Sequence, residues 1–201
     1  MRIALALAAL ALLAFATPVL AAKTDGSPAA QFVQGLGDKA LTSLTAKDLA
    51  ANVRAQRVRS LLRENFDIQT IGRFVMGNGW KTATPAQKSQ YMSLFEDMIV
   101  ATYTKRFADY SGQSFKVTGS SAVSDSDSLV KSQILQKDGP AVMVDWRVRK
   151  KDGGMKVVDV VVENISMSLT QRDDFRTVLN DKGVDGLIEV LRQRAGKPAG
   201  K

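Results

Sequence analysis

Apolar residues recur at helical spacing in the first half of the chain. Residues 32–44 place apolar side chains on one face and predict an amphipathic first helix. Thr45 followed by Asp48 resembles a capping box and predicts the start of a second helix, and Asp67 predicts the cap of a short third helix. The triplet Gly77-Asn78-Gly79 ends that third helix.

The strongest helix signal lies between Thr84 and Asp109. Thr84 is a preferred cap residue, Pro85 suits the first turn, and Gln87 can complete a capping box. One continuous stripe then follows this predicted helix: Tyr91, Leu94, Phe95, Met98, Ile99, Thr102, Tyr103 and Phe107. A stripe with so many large side chains predicts either a packed core or the wall of a cavity.

From residue 111 the apolar period changes from 3.6 to 2, which predicts β-strands. Four strands are predicted, at residues 115–117, 129–135, 141–149 and 155–167. Turn residues at 137–140 and 151–154 are typical of hairpins, so the sheet should be an antiparallel meander.

The last two strands differ in the chemistry of their faces. The predicted third strand is apolar on one face, whereas its opposite face carries Asp145, Arg147 and Arg149. The last strand is apolar on both faces and should be covered on both. Strict alternation puts Val157 and Val161 on one face and Val158, Val160 and Val162 on the other, and a one-residue change of register would exchange the two sets.

Helical spacing returns after the strands. Thr170 with Asp173 predicts the start of a helix, and Gly183 separates it from a last helix. Helices, then a meander, then helices is an α+β order, in which a curved antiparallel sheet and the helices against it can enclose an apolar interior.

The amino terminus predicts export. Arg2, an apolar run and the small residues Ala21 and Ala22 are typical of a secretory signal peptide at residues 1–21. We expect a single domain at residues 22–195 and a disordered tail at 196–201. The formal net charge is +8, and +7 without Arg2, so the protein should attract anionic surfaces and acidic partners. The basic residues form no block interleaved with aromatics, and no nucleic acid is expected.

The chain contains no histidine and no cysteine, which removes the commonest base, the thiol nucleophile and the usual transition-metal ligands. Two readings of the acidic residues in strands stay open. Asp145 or Asp159, with Tyr103, could serve a cone-fold enzyme, but such residues more often pair across a sheet or anchor a helix end. The segment at residues 125–127 lacks the remaining ligands of a calcium loop and is predicted to be a solvated hairpin tip.

Several positions, taken in order, resemble one known family. They are Phe66-Asp67, Phe74-Val75-Met76-Gly77 with Trp80, Tyr103 with Tyr110, residues 157–159, Glu163 with Ser166, Gln171-Arg172 with Phe175, and Gly183 with Leu187. The pattern resembles the MlaC-type, or toluene-tolerance auxiliary, family of periplasmic phospholipid-binding proteins. Two positions depart from it: Asn78-Gly79 replace a pair that is usually larger, and Asn164 replaces a common glycine. A hopanoid-associated branch of similar layout is therefore an alternative.

The resemblance implies an NTF2-like α+β fold with a four-stranded antiparallel sheet and an apolar pocket for acyl chains. It implies a soluble periplasmic carrier and not an enzyme, with phospholipid as cargo, no cofactor and no metal. Its partners would be an outer-membrane lipoprotein complex and an inner-membrane ABC transporter with its substrate-binding membrane subunit, in a system that maintains outer-membrane lipid asymmetry. We expect a monomer that contacts membranes transiently.

Apolar periodicity also predicts which residues line the pocket. The ten predicted lining residues are Phe74, Val75, Trp80, Phe95, Ile99, Tyr103, Val144, Trp146, Val160 and Ile165. The residues alone leave a third possibility open, an adaptor whose interior is filled by its own side chains.

Overall fold

A computed structural model describes residues 26–196 of the chain. The predicted signal peptide and the predicted tail beyond residue 196 lie outside the described residues. Within them the helices are α1 (Pro28–Leu44), α2 (Ala51–Asn65), α3 (Ile68–Met76), α4 (Gly79–Thr82), α5 (Pro85–Ala108) and α6 (Met167–Arg194). The strands are β1 (Ser114–Ala122), β2 (Asp127–Leu135), β3 (Val142–Lys151), β4 (Gly154–Val162) and β5 (Ile165–Ser166). No described helix is both long and apolar enough to cross a bilayer.

The α+β fold and the antiparallel meander are confirmed, because the strands follow one another in the order β1-β2-β3-β4-β5. The predicted number of four strands is wrong by one. The last predicted strand is divided by a two-residue turn at Glu163 and Asn164, whose φ angles of 48° and 65° reverse the chain. Val162 then pairs with Ile165, and a short fifth strand forms.

Two predicted helix starts are confirmed by their caps. Asp67 Oδ1 accepts a hydrogen bond from the backbone nitrogen of Thr70 at 3.1 Å and begins α3. The capping box of α5 is complete: the Gln87 nitrogen donates to Thr84 Oγ1 at 3.2 Å, and the Thr84 nitrogen donates to Gln87 Oε1 at 2.9 Å.

Two other predicted starts are wrong. Thr45 ends α1, and α2 begins only at Ala51, without a side-chain cap. Helix α6 begins at Met167, where Ser166 Oγ accepts a hydrogen bond from Leu169, so Thr170 lies inside the helix. The predicted interruption at Gly183 is present, because its φ of 64° and ψ of −166° are not helical.

A β-bulge between β3 and β4 changes the predicted faces of the last strand. Val148 pairs with Val157 and Trp146 pairs with Val160, so Val158 is the extra residue. Val157 and Val160 therefore lie on one face, together with Val162. Strict alternation had placed Val157 on the opposite face from Val160 and Val162, and the bulge makes that prediction wrong.

The face of β4 that carries Val157, Val160 and Val162 is the inner face of the sheet, which packs against the helices. Val157 is fully buried in the main apolar cluster with residues of α2, α3, α5 and α6. A second cluster joins Val33 of α1 to Val130 of β2 and Val148 of β3. The outer face of β4 is only half-buried at Val161, so the strand is not fully covered on both sides as predicted.

Helix α1 lies close against β1 because of a glycine in its middle. A Cβ at Gly37 would stand 2.2 Å from the Phe115 ring, so only glycine allows this approach. Phe115 in turn meets Trp146 edge to face, with ring centroids 6.0 Å apart. The helix thus fixes the position of an aromatic pair on the inner face.

Candidate functional site

Along β4 the inner face of the sheet becomes more exposed from Val157 towards β5. At the end formed by the β3–β4 hairpin, Val148 and Val157 are buried in the two clusters. Further along, Trp146 and Val160 are half-buried, and Ile165 at the opposite end has 57% of its surface exposed. The inner face is therefore an apolar surface that runs from the core to solvent.

Trp146 forms the centre of this surface and is held there by polar contacts. Its Nε1 donates to Ser132 Oγ at 2.9 Å, and that hydroxyl donates to the Val144 carbonyl at 2.7 Å. Phe66 contacts the indole edge to face, with ring centroids 6.5 Å apart. Because its only donor is satisfied by the sheet itself, the indole presents an apolar face to whatever lies above it.

The apolar stripe of α5 follows the same gradient. Tyr91 is fully buried, and its hydroxyl donates to the Gly72 carbonyl at 2.9 Å; burial raises the pKa of this hydroxyl. Phe95 is 2% exposed and stacks on Tyr91, Ile99 is half-buried, and Tyr103 is 36% exposed. The stripe is thus more exposed at Ile99 and Tyr103 than at Tyr91 and Phe95, and Phe107 at its end packs against the main cluster again.

The long helix packs against other helices more than against the sheet. Its backbone lies along α2 and α6 and comes near the strands at isolated points at most. Phe95 of α5, Val157 of the sheet and Phe175 of α6 belong to one buried cluster, and Ile99, Trp146 and Val160 pack against it while staying half-buried. We give the name helix–sheet cleft to the region bordered by Ile99 and Tyr103 of α5 and by Trp146 and Val160 of the sheet; the two cavities described below lie elsewhere.

The ten predicted lining residues fall into two groups. Six belong to the main apolar cluster, either inside it or packed against it: Val75, Trp80, Phe95, Ile99, Trp146 and Val160. Val144 is buried on the inner face, and Phe74, Tyr103 and Ile165 are exposed. Ile99, Trp146 and Val160 are half-buried and border the helix–sheet cleft, whereas Trp80 lines a different cleft. The assignment to a lipid stays a prediction.

The cleft beside Trp80 has a volume of about 680 Å³ and is lined by charged and apolar side chains together. Five of its lining side chains are basic and two are acidic: Arg59, Arg63, Lys88, Lys151 and Lys156 against Asp67 and Glu96. We call it the basic cleft. Sequence reasoning missed it, because its charges come from α2, α5 and the β3–β4 hairpin; only the i, i+4 spacing of Arg59 and Arg63 was visible.

Ion pairs shape the basic cleft. Arg59 bridges Glu96 and Asp97 with N–O distances of 2.6 Å each, and Arg63 reaches Glu96 at 2.9 Å. Lys151 pairs with Asp67 at the start of α3. Burial raises the pKa of Asp67, but hydrogen bonds from Lys151 and Thr70 outweigh it and hold the pKa below its usual value.

A smaller cleft of about 230 Å³ lies where α3 ends against α6. Gly77 stands there with a φ of 56° and a ψ of −127°, a conformation that favours glycine. Arg172 of α6 packs over the Phe74 ring, with 4.8 Å from Cζ to the ring centroid. Arg176 lines the same cleft.

The acidic residues considered for catalysis lie on the outer face of the sheet. Asp145 pairs in register with Val161, and Asp159 with Arg147, so both are opposite to the helix–sheet cleft and to Tyr103. Asp159 accepts hydrogen bonds from Ser166 Oγ at 2.7 Å and from the Ser168 nitrogen at 3.2 Å. It therefore anchors the start of α6, in agreement with the interpretation that acidic residues in strands often anchor a helix end.

The segment predicted to be a solvated hairpin tip is only partly so. Asp127 is buried, and Arg149 donates to it through two hydrogen bonds of 2.7 and 2.8 Å. The guanidinium of Arg149 holds the pKa of Asp127 below its usual value.

Across residues 26–196 no group of three or more metal-binding side chains comes together.

Comparisons with known proteins point to one family. The sequence model of the MlaC protein family matches residues 34–193. The intermembrane phospholipid transport system binding protein MlaC of Haemophilus influenzae is 24% identical over 174 residues, covering 83% of this chain and 81% of that protein. The solved structure of a phospholipid-binding protein from Ralstonia solanacearum, in complex with a phospholipid, superposes with a TM-score of 0.72 and is 27% identical. It covers 83% of this chain and 96% of that one.

Proposed function

The chain belongs to the MlaC family, and from this premise we propose that it is a periplasmic phospholipid carrier that moves lipid between membrane complexes. Residues 22–195 form the lipid-binding domain, and the signal peptide at residues 1–21 directs its export. The observation that carries the proposal is the relative of the same fold that holds a phospholipid.

In this proposal the acyl chains occupy the helix–sheet cleft. Ile99 and Tyr103 contact them from α5, and Trp146 and Val160 contact them from the sheet. The exposure gradient on both walls supports this placement, because a cleft that opens from a buried end suits a tail that enters end first. The remaining predicted residues, Phe74, Val75, Trp80, Phe95, Val144 and Ile165, surround this space or its mouth.

Tail burial makes such a complex strong against water and balanced against a membrane. Each buried methylene contributes about 0.8 kcal/mol, so two chains of about 15 methylenes would gain roughly 24 kcal/mol in a dry cleft. A bilayer offers the same chains nearly the same free energy. Direction must therefore come from the partner complexes, and no covalent chemistry is required of this protein.

The basic cleft is the part of the surface best suited to docking. Its excess of basic over acidic side chains favours an acidic protein segment, and Phe66, Trp80 and Met92 add apolar contact area. We assign to it the partner complexes expected for this family, an outer-membrane lipoprotein complex and the substrate-binding subunit of an inner-membrane ABC transporter.

Lipid extraction tests the proposal directly. The mature protein, purified from a Gram-negative host, should carry phospholipid detectable by native mass spectrometry, and delipidated protein should take phospholipid up from vesicles. A protein that is purified without lipid and takes none up would refute it. The same spectra distinguish the alternative, since a bound hopanoid-related lipid would identify the hopanoid-associated branch.

A further inference from the structure

Arg172 differs from the other buried and half-buried arginines in the part of the chain that the structure describes. Each of the others donates to a carboxylate or to backbone carbonyls: Arg54, Arg59, Arg149 and Arg192. Arg172 is half-buried, packs over the Phe74 ring, and makes no hydrogen bond or ion pair within residues 26–196. Its nitrogens still reach solvent, so the unpaired guanidinium is open to an acceptor that a ligand supplies.

The surroundings of Arg172 suit an anion. The small cleft that it lines contains a second arginine, Arg176, and no acidic side chain. Arg176 is paired with Asp173 at 3.1 Å, but both of these side chains are well exposed and the pair is weak. The volume of about 230 Å³ equals several water molecules at about 30 Å³ each, which is room for a phosphate group.

An aromatic ring covers one face of the guanidinium. Phe74 packs against it, and Gly77 lies beside it, where even a Cβ would make only an ordinary contact, 3.4 Å from Arg172 Nε. A guanidinium stacked in this way keeps its N–H edge free for two parallel hydrogen bonds, the arrangement that matches phosphate oxygens.

Exposed apolar side chains lie next to this edge. Phe74 is 39% exposed, and Leu169, one helical turn before Arg172 on α6, is exposed as well. An anion that also carries apolar chains therefore fits the place better than free phosphate does. We propose that Arg172 binds the head-group phosphate that glycerophospholipids share, an inference that rests on the proposed carrier function.

A contact to the shared phosphate recognises the class of lipid but does not recognise the individual head group. It distinguishes phospholipids from lipids without phosphate, such as diacylglycerol, and it leaves the choice between head groups loose. Arg172 is in this view a specificity-determining residue, placed in the small cleft where α3 ends against α6.

The test compares two vesicle-borne lipids with identical acyl chains, phosphatidylglycerol and diacylglycerol. Delipidated mature protein should take up phosphatidylglycerol in preference, and Arg172→Gln should reduce this preference by about tenfold or more, the range expected for a charge-assisted pair. Arg172→Lys, which keeps the charge but loses the fork, should give an intermediate value. Arg73→Gln is the matched control, since Arg73 also stacks on an aromatic ring and lies next to Phe74.

Each outcome decides the matter. Equal uptake of both lipids by the wild-type protein, or an unchanged preference in both Arg172 variants, overturns the inference and leaves the carrier function standing. Uptake of neither lipid refutes the carrier function itself. Inorganic phosphate, titrated into delipidated wild-type protein, is the second arm: millimolar phosphate that binds through Arg172 without any preference for phosphatidylglycerol would mean a free-phosphate site and would overturn the head-group assignment. If Arg172→Gln fails to fold, the result for Arg172→Lys decides alone.

Discussion

Ile99 occupies the position where a filled interior and a lipid cleft predict opposite results. It lies on the stripe of α5 between buried Phe95 and exposed Tyr103, and it is itself half-buried. Ile99→Trp adds an apolar side chain at the place where the stripe becomes more exposed. In an open cleft the indole should occupy space that the acyl chains need.

The expected loss of affinity follows from the number of methylenes displaced. Excluding about three methylenes costs about 2.4 kcal/mol at 0.8 kcal/mol each, which lowers lipid affinity about 50-fold. If side chains already filled the space, the indole would instead overpack it and lower the free energy of unfolding by about 1–3 kcal/mol. An open cleft accepts the indole with little change in stability.

Two measurements separate the cases. Phospholipid uptake from vesicles gives the affinity, and chemical denaturation of the delipidated protein gives the free energy of unfolding. Ala101→Trp on the exposed face of the same helix is the control and should change neither. A variant Ile99→Trp that loses stability and keeps wild-type uptake would refute the helix–sheet cleft as the lipid site and favour the filled adaptor.

Four further predictions concern stability and docking. In urea denaturation, Asp67→Ala should lower the free energy of unfolding by about 1 kcal/mol more than Asp67→Asn. Both variants lose the charge pair with Lys151, but asparagine still caps α3. Equal losses in the two variants would contradict the role of the cap. Since the folded pKa of Asp67 is depressed, its contribution should be full above the unfolded value of about 3.9 and disappear as pH falls through the folded pKa, which denaturation across an acid pH series measures. Asn164→Gly should raise the thermal unfolding midpoint, because Asn164 has a φ of 65° that glycine adopts without strain, and a lowered midpoint would contradict this. Raising salt should slow lipid transfer from vesicles far more than it releases bound lipid, and the reverse order would mean that electrostatics hold the cargo.

Local signals in the sequence predicted local structure well. The capping box at Thr84 and Gln87 and the cap at Asp67 depend on residues three positions apart, and the structure contains both. The hairpin turns were visible for the same reason. The family resemblance, confirmed by the match over residues 34–193, supplied the fold and the expectation of phospholipid binding, which local patterns alone left open.

The two wrong helix starts differ in cause. Thr45 ends α1, and Arg54 of α2 donates to the carbonyls of Leu44 and Ala46 at that end; α2 itself begins without a side-chain cap, so no capping residue marked its start. Helix α6 begins at Met167, where Ser166 caps the Leu169 nitrogen and Asp159 on β4 accepts from the Ser168 nitrogen. The capping residue Ser166 stands next to the helix start in the sequence, whereas the acceptor supplied by β4 left no signal there.

The bulge at Val158 had the larger consequence for the candidate site. Strict alternation required a choice between the set with Val157 and the set with Val160, and either choice would have left the inner face incomplete. The bulge places both residues inward, Val157 in the core and Val160 in the helix–sheet cleft. One extra residue therefore lets a single strand both close the core and line the cleft.

Docking and lipid retention depend on different forces at different ends of the sheet. Lys151, at the last residue of β3, lines the basic cleft, whereas the first residues of β3 and the end of β4 lie at the exposed end near Ile165. Ten residues at about 3.3 Å each separate these ends by about 30 Å, several times the Debye length of about 8 Å at physiological ionic strength. An acidic partner that binds the basic cleft therefore changes the electrostatic field at the mouth very little.

A charge-assisted contact such as that of Arg172 contributes about 1.5–3 kcal/mol, against roughly 24 kcal/mol for the tails, so it selects the cargo without holding it. Release must then require a partner or a membrane that offers the tails an apolar path, and docking brings that path to the mouth.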